Sequence, residues 1–129
     1  MGKKYRILLI DDEEDIRVFT KSMLEKKGNF QVETAALAYQ GMELAKINKP
    51  DLILLDLVLP DLEGSEVAIA LANDEATKDI PIVFLTGLAK EAEVELEAGK
   101  IGGRNFVSKP IDPKHLVERI NLVLQASGR

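Results

Sequence analysis

The sequence predicts a doubly wound α/β domain, in which a five-stranded parallel sheet carries helices on both faces. Three segments are continuously apolar instead of alternating, as is typical of parallel strands buried on both sides: RILLI (6–10), DLILLD (51–56) and IPIVFLT (80–86). Stretches whose apolar residues have helical spacing lie between them. Strand and helix therefore alternate along the chain, and that order favours a parallel sheet.

Two further segments are shorter and more polar, FQVETA (30–35) and NFVS (105–108). A strand at the edge of a parallel sheet is less completely covered than a central one, so it tolerates more polar residues. We therefore expect these two segments to flank the three apolar strands.

Residues 14–27 and 65–73 are predicted to be helical. In the first of these, the apolar residues expected on one face are Ile16, Phe19, Met23 and Leu24. Gly28 follows directly and supplies a stop signal, because glycine readily adopts the conformation that ends a helix.

Residues 38–48 and 113–126 also have helical patterns. The first is expected to end before Pro50, since a residue that precedes proline disfavours the helical conformation. The second has Asp112 as its predicted N-cap and Pro113 at its first position, with three apolar residues on its buried side: Leu116, Ile120 and Val123.

Residues 89–98, AKEAEVELEA, are ambiguous. Val94 and Leu96 alternate with glutamates, as in a strand, whereas alanine and glutamate are strong helix formers. A helix is also the element that returns the chain for a parallel fifth strand. We therefore predict a helix here.

Composition and charge exclude several classes of protein. The chain has 129 residues, which is enough for one domain with a single core. Its net charge of −5 and the absence of a basic cluster argue against direct binding of nucleic acid. With no cysteine and only a short apolar run near the N-terminus, we expect a cytoplasmic protein without disulfides or a membrane segment.

Polar residues follow the predicted strands at the positions where the strands end. Asp11 and Asp12 follow the first strand, Asp56 ends the third, Thr86 the fourth and Lys109 the fifth. The carboxyl ends of parallel strands meet at one edge of a sheet, where ligands bind in this fold class. Clustered carboxylates with no histidine or cysteine select Mg²⁺ or Mn²⁺, and Mg²⁺ commonly bridges carboxylate and phosphate oxygens. The pattern indicates a site for a phosphoryl group.

Over essentially its whole length the chain resembles the receiver domain of two-component response regulators, including the chemotaxis regulators. Four segments carry the resemblance: LLIDDEED, DLILLDLVLPDLEG, VFLTG and GGRNFVSKP. In the second, Asp56 lies four residues before Pro60 and eight before Gly64. The resemblance implies a flavodoxin-like sheet of order 2-1-3-4-5 in a single receiver domain at residues 1–129, with a core at about 4–126 and no output domain in this chain.

The resemblance also implies roles for individual residues. Asp56 would accept a phosphoryl group from a sensor histidine kinase, a phosphotransfer protein or a small acyl phosphate. Mg²⁺ would be held by Asp12, Asp56 and the backbone carbonyl of Val58, with Asp11 helping directly or through a water. Lys109 would pair with the phosphoryl oxygens, and the Lys109–Pro110 peptide bond is expected to be cis.

Further residues are expected to surround the phosphoryl group or to respond to it. Thr86 would move toward it and vacate space into which Phe106 turns. Leu57, Gly87 and Leu88 would flank it, and Gly87 would leave access for the donor. The switching face would comprise the helix predicted at 89–98, the last strand and the last helix, and it would meet a protein target or a fused output domain. Gly102 and Gly103 replace the Gly-Ala that is common before the last strand.

Two other functions remain open at this point. One is an Mg²⁺-dependent phosphohydrolase with an aspartyl nucleophile, although such enzymes resemble a DxDx[TV] pattern and this chain has adjacent aspartates. The other is a receiver-like interaction module that never takes phosphate, although such modules usually lack one of the acids or the lysine. We expect a signalling switch that is not a multiple-turnover enzyme. A phosphorylation-dependent homodimer would use the last helix, where Val117 and Leu124 are the expected exposed apolar pair.

The apolar side chains of Val58 and Leu88 generate one prediction. Because both would flank the phosphoryl group, we expect them to hinder the hydrolytic water and to lengthen the phosphorylated lifetime. A Val58→Asn, Leu88→Glu double variant should therefore dephosphorylate faster than the wild type. An unchanged rate, measured by following loss of the phosphorylated species, would contradict this hypothesis.

Overall fold

The computed structural model describes residues 3–87 and 105–128. Within those ranges, five parallel strands form one sheet of order β2-β1-β3-β4-β5. The strands are β1 (Tyr5–Ile10), β2 (Phe30–Ala35), β3 (Leu52–Asp56), β4 (Ile82–Gly87) and β5 (Phe106–Lys109). Both the strand order and the placement of the two polar strands at the edges agree with the expectation.

The same ranges contain four helices: α1 (Glu14–Lys26), α2 (Ala38–Asn48), α3 (Gly64–Ala72) and α4 (Pro113–Ala126). Two of these match the predicted bounds, α1 ends one residue earlier than predicted, and α3 both begins and ends one residue earlier. The predicted helix at 89–98, together with Leu88, Gly102 and Gly103, lies outside the described residues. No helix in the described part of the chain combines the length and apolar character that a bilayer span requires.

The core has two layers, one on each face of the sheet. On one face, side chains of β1, β3 and β4 pack against α1 and α4, and on the other they pack against α2 and α3. Residues 7–10 of β1 and 52–55 of β3 are completely or almost completely buried. Burial of each such aliphatic side chain contributes about 1.5–3 kcal/mol to the stability of the fold. Because both faces of the central strands are covered, these strands consist of continuous apolar residues.

The buried face of α1 differs from the prediction at one position. Leu24 is fully buried and Met23 packs against the core, as expected, but Phe19 is 45% exposed. The neighbouring Thr20 is buried in its place. Helical spacing alone favoured the larger apolar residue, whereas the packing of α1 against the sheet admits the smaller one. Gly28 lies just beyond the helix with a φ of 90°, in agreement with the predicted stop.

The last helix confirms one expectation and corrects another. Asp112 is the N-cap residue and Pro113 follows at the start of α4, although the Asp112 side chain makes no capping hydrogen bond. The proposed exposed pair is wrong, because Leu124 is only 2% exposed and Val117 packs against the core. Leu122 is the strongly exposed apolar residue of this helix, at 60%. The apolar dimer surface predicted from Val117 and Leu124 is therefore not exposed on this helix.

Side chains of α1 cover part of the outer edge of β2. The Val32 N–H donates to Glu25 Oε2 at 3.1 Å, and Lys21 Nζ donates to the Val32 carbonyl at 2.7 Å. Lys21 and Glu25 also pair with each other at 3.5 Å. An edge strand presents backbone groups that can pair with a strand of another chain. These side-chain hydrogen bonds occupy the backbone groups of Val32 and so block such pairing there. The hydrogen bond from Val32 and the charge of Lys21 together lower the pKa of Glu25, against the opposing effect of its burial.

This contact generates a prediction on stability and pH. Since the pKa of Glu25 is lowered below its ordinary value of 4.5, its contribution is present at neutral pH and is lost as the pH falls through the lowered folded value. We expect Glu25→Gln to reduce the free energy of unfolding by about 0.5 kcal/mol at pH 7, because the pair is exposed. The difference should shrink at acidic pH. Urea denaturation at several pH values measures it, with Glu14→Gln as a control on the same helix.

Candidate phosphoryl-transfer site

The carboxyl ends of the strands form a cleft of about 450 Å³. Its lining combines residues after β1 with residues that end β3, β4 and β5: Asp12, Glu13, Asp56, Leu57, Val58, Thr86, Gly87 and Lys109. The register of the parallel strands explains why these residues lie together. Because β1 pairs with β3, β3 with β4 and β4 with β5, all in parallel, the ends of four different segments reach the same edge.

Three carboxylates meet at this edge. Asp11, Asp12 and Asp56 each offer an oxygen, and these oxygens lie within 4.8 Å of one another. Asp11 is fully buried, Asp56 is 7% exposed and Asp12 is exposed. Oxygen ligands at this spacing suit a hard divalent cation, so the residues present fit the Mg²⁺ that the resemblance implies.

Lys109 neutralises part of this negative charge. Its Nζ lies 2.9 Å from Asp11 Oδ2, 2.9 Å from Glu13 Oε1 and 3.4 Å from Asp56 Oδ2. Burial by itself would lower the pKa of the Lys109 ammonium. The hydrogen bonds to Asp11 and Glu13, with the negative charges of Asp11 and Asp56, outweigh it and raise the pKa, so Lys109 is protonated at neutral pH.

Asp56 lies in an unfavourable environment for a charged carboxylate. Burial raises its pKa, and the negative charge of Asp11 raises it further. The Val58 N–H, which donates to Asp56 Oδ1 at 3.2 Å, and the Lys109 ammonium lower the pKa, but not enough to reverse the direction. The carboxylate is therefore surrounded by more negative charge and less water than an exposed aspartate. A bound cation would lower the electrostatic cost of its charge.

Gly64 holds the loop that follows β3 against the strand end. A Cβ at this position would lie 2.5 Å from the Asp56 carbonyl oxygen and 2.7 Å from the Leu57 Cα, so only glycine fits without displacing the backbone. The Gly64 N–H donates to the Leu57 carbonyl at 2.7 Å. The eight-residue spacing from Asp56 to Gly64 thus has a steric reason: α3 begins directly against the backbone of the predicted phosphoacceptor.

Asp61, in the same loop, reaches across to the next helix. Its two carboxylate oxygens accept the N–H groups of Ala38 and Tyr39 at 2.9 and 3.0 Å, and these begin α2. Because the α2 N-cap residue is Leu37, which has no polar side chain, the cap comes from elsewhere in the chain. This role of Asp61 is not predictable from the local sequence, since no pattern around residue 38 points to residue 61.

The predicted switch residues, Thr86 and Phe106, lie on the face of the sheet that packs against α2 and α3. The Thr86 side chain is buried, and its hydroxyl donates to the Gly87 carbonyl at 3.2 Å. Phe106 is half-buried, packs against the core and pairs in register with Phe84, two residues before Thr86 on the same side of β4. A Cβ at Gly87 would meet no atom of the described residues within 4 Å, so this part of the chain leaves space at that point of the cleft. The Lys109–Pro110 bond is cis, as expected.

Glu13 is a site residue that the sequence analysis missed. It follows the two aspartates directly, and an acidic residue there is easily attributed to a helix N-terminus. It is indeed the N-cap position of α1, but its carboxylate makes no capping bond and turns to Lys109 instead. Lys109 lies 96 residues away in the chain, so the contact is not readable from local sequence.

Comparison with known proteins identifies the family. Residues 7–121 match the model of the response regulator receiver domain, and the chain belongs to that family. Receiver domains of this family act as signalling switches, bind Mg²⁺ at an acidic pocket, and interact with histidine kinases and output domains.

Individual relatives cover the chain to different extents. It is 38% identical over 122 residues to the phosphate regulon transcriptional regulatory protein PhoB of Pseudomonas aeruginosa, which covers 95% of this chain and 52% of PhoB. It is 38% identical over 120 residues to Protein PilH of the same species, which covers 92% of this chain and 97% of PilH. Thus the chain spans about half the length of PhoB and almost all of PilH.

A solved structure shows the same fold. A CheY-like response regulator receiver domain protein from Methanospirillum hungatei is 31% identical and covers 98% of each chain with a TM-score of 0.86. The flavodoxin-like strand order predicted from the sequence is therefore shared with the family.

The strained environment of Asp56 leads to a prediction. Its folded pKa is raised above the ordinary value of 3.8, so charged Asp56 subtracts from stability at neutral pH, and protonation relieves that cost as the pH falls. Asp56→Asn should therefore raise the free energy of unfolding of the metal-free protein by about 1 kcal/mol at pH 7. The gain should fade toward pH 4.

Chemical denaturation in the presence of a chelator measures this effect. Asp15→Asn, an exposed aspartate on α1, serves as the control for loss of one negative charge. A loss of stability in Asp56→Asn at pH 7 would contradict the clustered-acid description of the site.

Proposed function

We propose that this chain is a phosphoacceptor switch that takes a phosphoryl group on Asp56. The observation that supports the proposal most strongly is the position of Asp56 in one cleft with two further carboxylates and the Lys109 ammonium. A carboxylate oxygen of Asp56 would attack the phosphorus of a phosphohistidine. The P–N bond would break, and the histidine nitrogen would keep the electron pair. With an acyl phosphate, a P–O bond would break instead.

The side chains around Asp56 have complementary roles in this proposal. Asp12, Asp56 and the Val58 carbonyl would hold Mg²⁺, with Asp11 helping directly or through water. Mg²⁺, when bound, supplies positive charge that offsets both the crowded carboxylates and the incoming phosphoryl oxygens. Mn²⁺ would serve the same purpose. Lys109 is already protonated and lies 3.4 Å from Asp56, so it would bind phosphoryl oxygens with little rearrangement.

The remaining lining residues would control access and response. Gly87 and Leu57 border the cleft, and within the described ranges the space beside Gly87 would admit the donor. Leu88 would flank the phosphoryl group as well, although it lies outside the described residues. Among the described residues the Thr86 hydroxyl donates to the next residue's carbonyl at 3.2 Å, and exchanging that bond for one to the phosphoryl group would cost little. Phe106, on the same face, would then turn inward.

The partners follow from this role. We propose a sensor histidine kinase or phosphotransfer protein as donor, and a protein target or fused output domain as receiver of the signal. A phosphorylated homodimer is a further proposal. The single receiver domain would comprise residues 1–129 and act in the cytoplasm without binding nucleic acid itself. No multiple-turnover catalysis is proposed beyond self-phosphorylation and loss of the phosphoryl group.

A mass measurement tests the proposal. After incubation with acetyl phosphate and Mg²⁺, intact-mass spectrometry should show one added phosphoryl group, because Asp56 is the proposed acceptor. Asp56→Asn should add none, and Asp15→Asn should behave as the wild type. Chelation of the metal should reduce the yield by at least about tenfold, as expected when a metal ion stabilises the charge of the transition state.

The same experiment separates the other functions. Continuous phosphate release without a stable adduct would indicate a phosphohydrolase. Absence of both the adduct and released phosphate would indicate an interaction module that does not take phosphate. Either result would contradict the proposal.

A further inference from the structure

Glu13 is the one exposed carboxylate among the three that contact Lys109. Its side chain is 58% exposed, whereas that of Asp11 is fully buried and that of Asp56 is 10% exposed. Glu13 Oε1 is 2.9 Å from Lys109 Nζ, as close as the buried Asp11 oxygen and closer than Asp56. Glu13 is thus a full partner of the lysine, although it lies at the solvent side of the cleft.

The backbone of Glu13 is fixed while its carboxylate is free to move. Its N–H donates to Asp11 Oδ1 at 2.9 Å, which ties the start of α1 to the buried acid. Its carboxylate makes no capping bond with α1 and reaches Lys109 instead. A glutamate side chain has three rotatable bonds, so it can leave the lysine without any displacement of the helix.

The number of donors on Lys109 sets a limit. An ammonium group has three N–H donors, and in the described cleft Lys109 donates to Glu13 and Asp56 while Asp11 Oδ2 lies 2.9 Å away as an ion-pair partner. Oxygens of a phosphoryl group on Asp56 would need at least one of these donors. Asp11 is fully buried, and its other oxygen accepts the Glu13 N–H, so solvent does not reach Asp11 to replace the lysine. Glu13 is exposed, and water can replace the lysine there.

We propose that Glu13 is a positioning residue, which holds Lys109 over the cleft while Asp56 is unmodified and yields its place to an oxygen of the phosphoryl group. The inference rests on the proposed function, because it concerns the same phosphoryl group. The Glu13–Lys109 ion pair keeps the lysine oriented, but it competes with the phosphoryl oxygens for the same donor. Loss of the contact should therefore strengthen binding of a phosphoryl mimic.

Beryllofluoride, which mimics a phosphoryl group on a carboxylate, is a suitable probe at saturating Mg²⁺. Two variants separate the effect of the Glu13–Lys109 contact from the effect of the negative charge of Glu13. Glu13→Gln removes the charge, and Glu13→Asp keeps the charge on a side chain one methylene shorter. Glu14→Gln, one residue further along the exposed start of α1, is the control for a change of charge alone.

We expect Glu13→Gln and Glu13→Asp to bind beryllofluoride about two- to fivefold more tightly than the wild type, the range that loss of a competing exposed ion pair allows. Glu14→Gln should bind as the wild type does. Titration calorimetry measures the affinities. The NMR signal of the Lys109 ammonium gives an independent readout, since the hydrogens should exchange with water faster in both Glu13 variants before the probe is added.

The outcomes distinguish this inference from the function on which it rests. If the wild type binds beryllofluoride and both Glu13 variants match it, the positioning role is wrong and the phosphoacceptor role stands. If only Glu13→Gln binds more tightly, the effect is one of charge, and the contact is not the cause. If the wild type neither binds the probe nor gains mass from acetyl phosphate, both proposals fail.

Discussion

The site depends on one shared cation, the Lys109 ammonium, and its contacts with carboxylates from two other strands. Asp11 and Asp56 are both buried and negatively charged, and two such charges close together repel by about 4 kcal/mol at an effective dielectric near 20. Lys109 lies within 3.4 Å of both and offsets much of this repulsion. It does not remove all of it, because the pKa of Asp56 is still raised. The remaining excess of negative charge is what makes the cleft receptive to a metal ion.

The scaffold is arranged so that this charge cluster cannot relax. Central strands made of continuous apolar residues end together at one edge, and each presents a polar residue within one position of its end. Gly64 brings the start of α3 against the Asp56 backbone, and Asp61 joins the same loop to α2. A loop attached at both ends keeps the carboxylates close despite their repulsion. Functional sites commonly sacrifice some stability in this way.

The acids of the site differ in how easily they move, and the difference has a chemical use. The buried Asp11 is a fixed part of the cluster, whereas Asp12 and Glu13 are exposed, and Glu13 can exchange its partner for water. An exposed ion pair contributes little stability, so it is easily given up when a stronger anion arrives. In the proposed switch, the fixed acids would maintain the site while the exposed ones respond to its occupant.

Local pattern was sufficient to predict the parallel sheet, its two covered faces and the residues at the strand ends, because burial on both sides demands continuous apolar runs and parallel strands share one edge. The order of the strands was implied by the family resemblance and is confirmed by the structure. Local pattern failed to predict burial and contacts that depend on packing between distant parts of the chain. The exposure of Phe19 and the burial of Leu124 depend on how each helix sits on the sheet. The contacts of Glu13 with Lys109 and of Asp61 with Ala38 join segments far apart in the chain. The sequence determined which groups arrive at the site, and only the tertiary structure decided which of them touch, since contact depends on distances that no local pattern encodes.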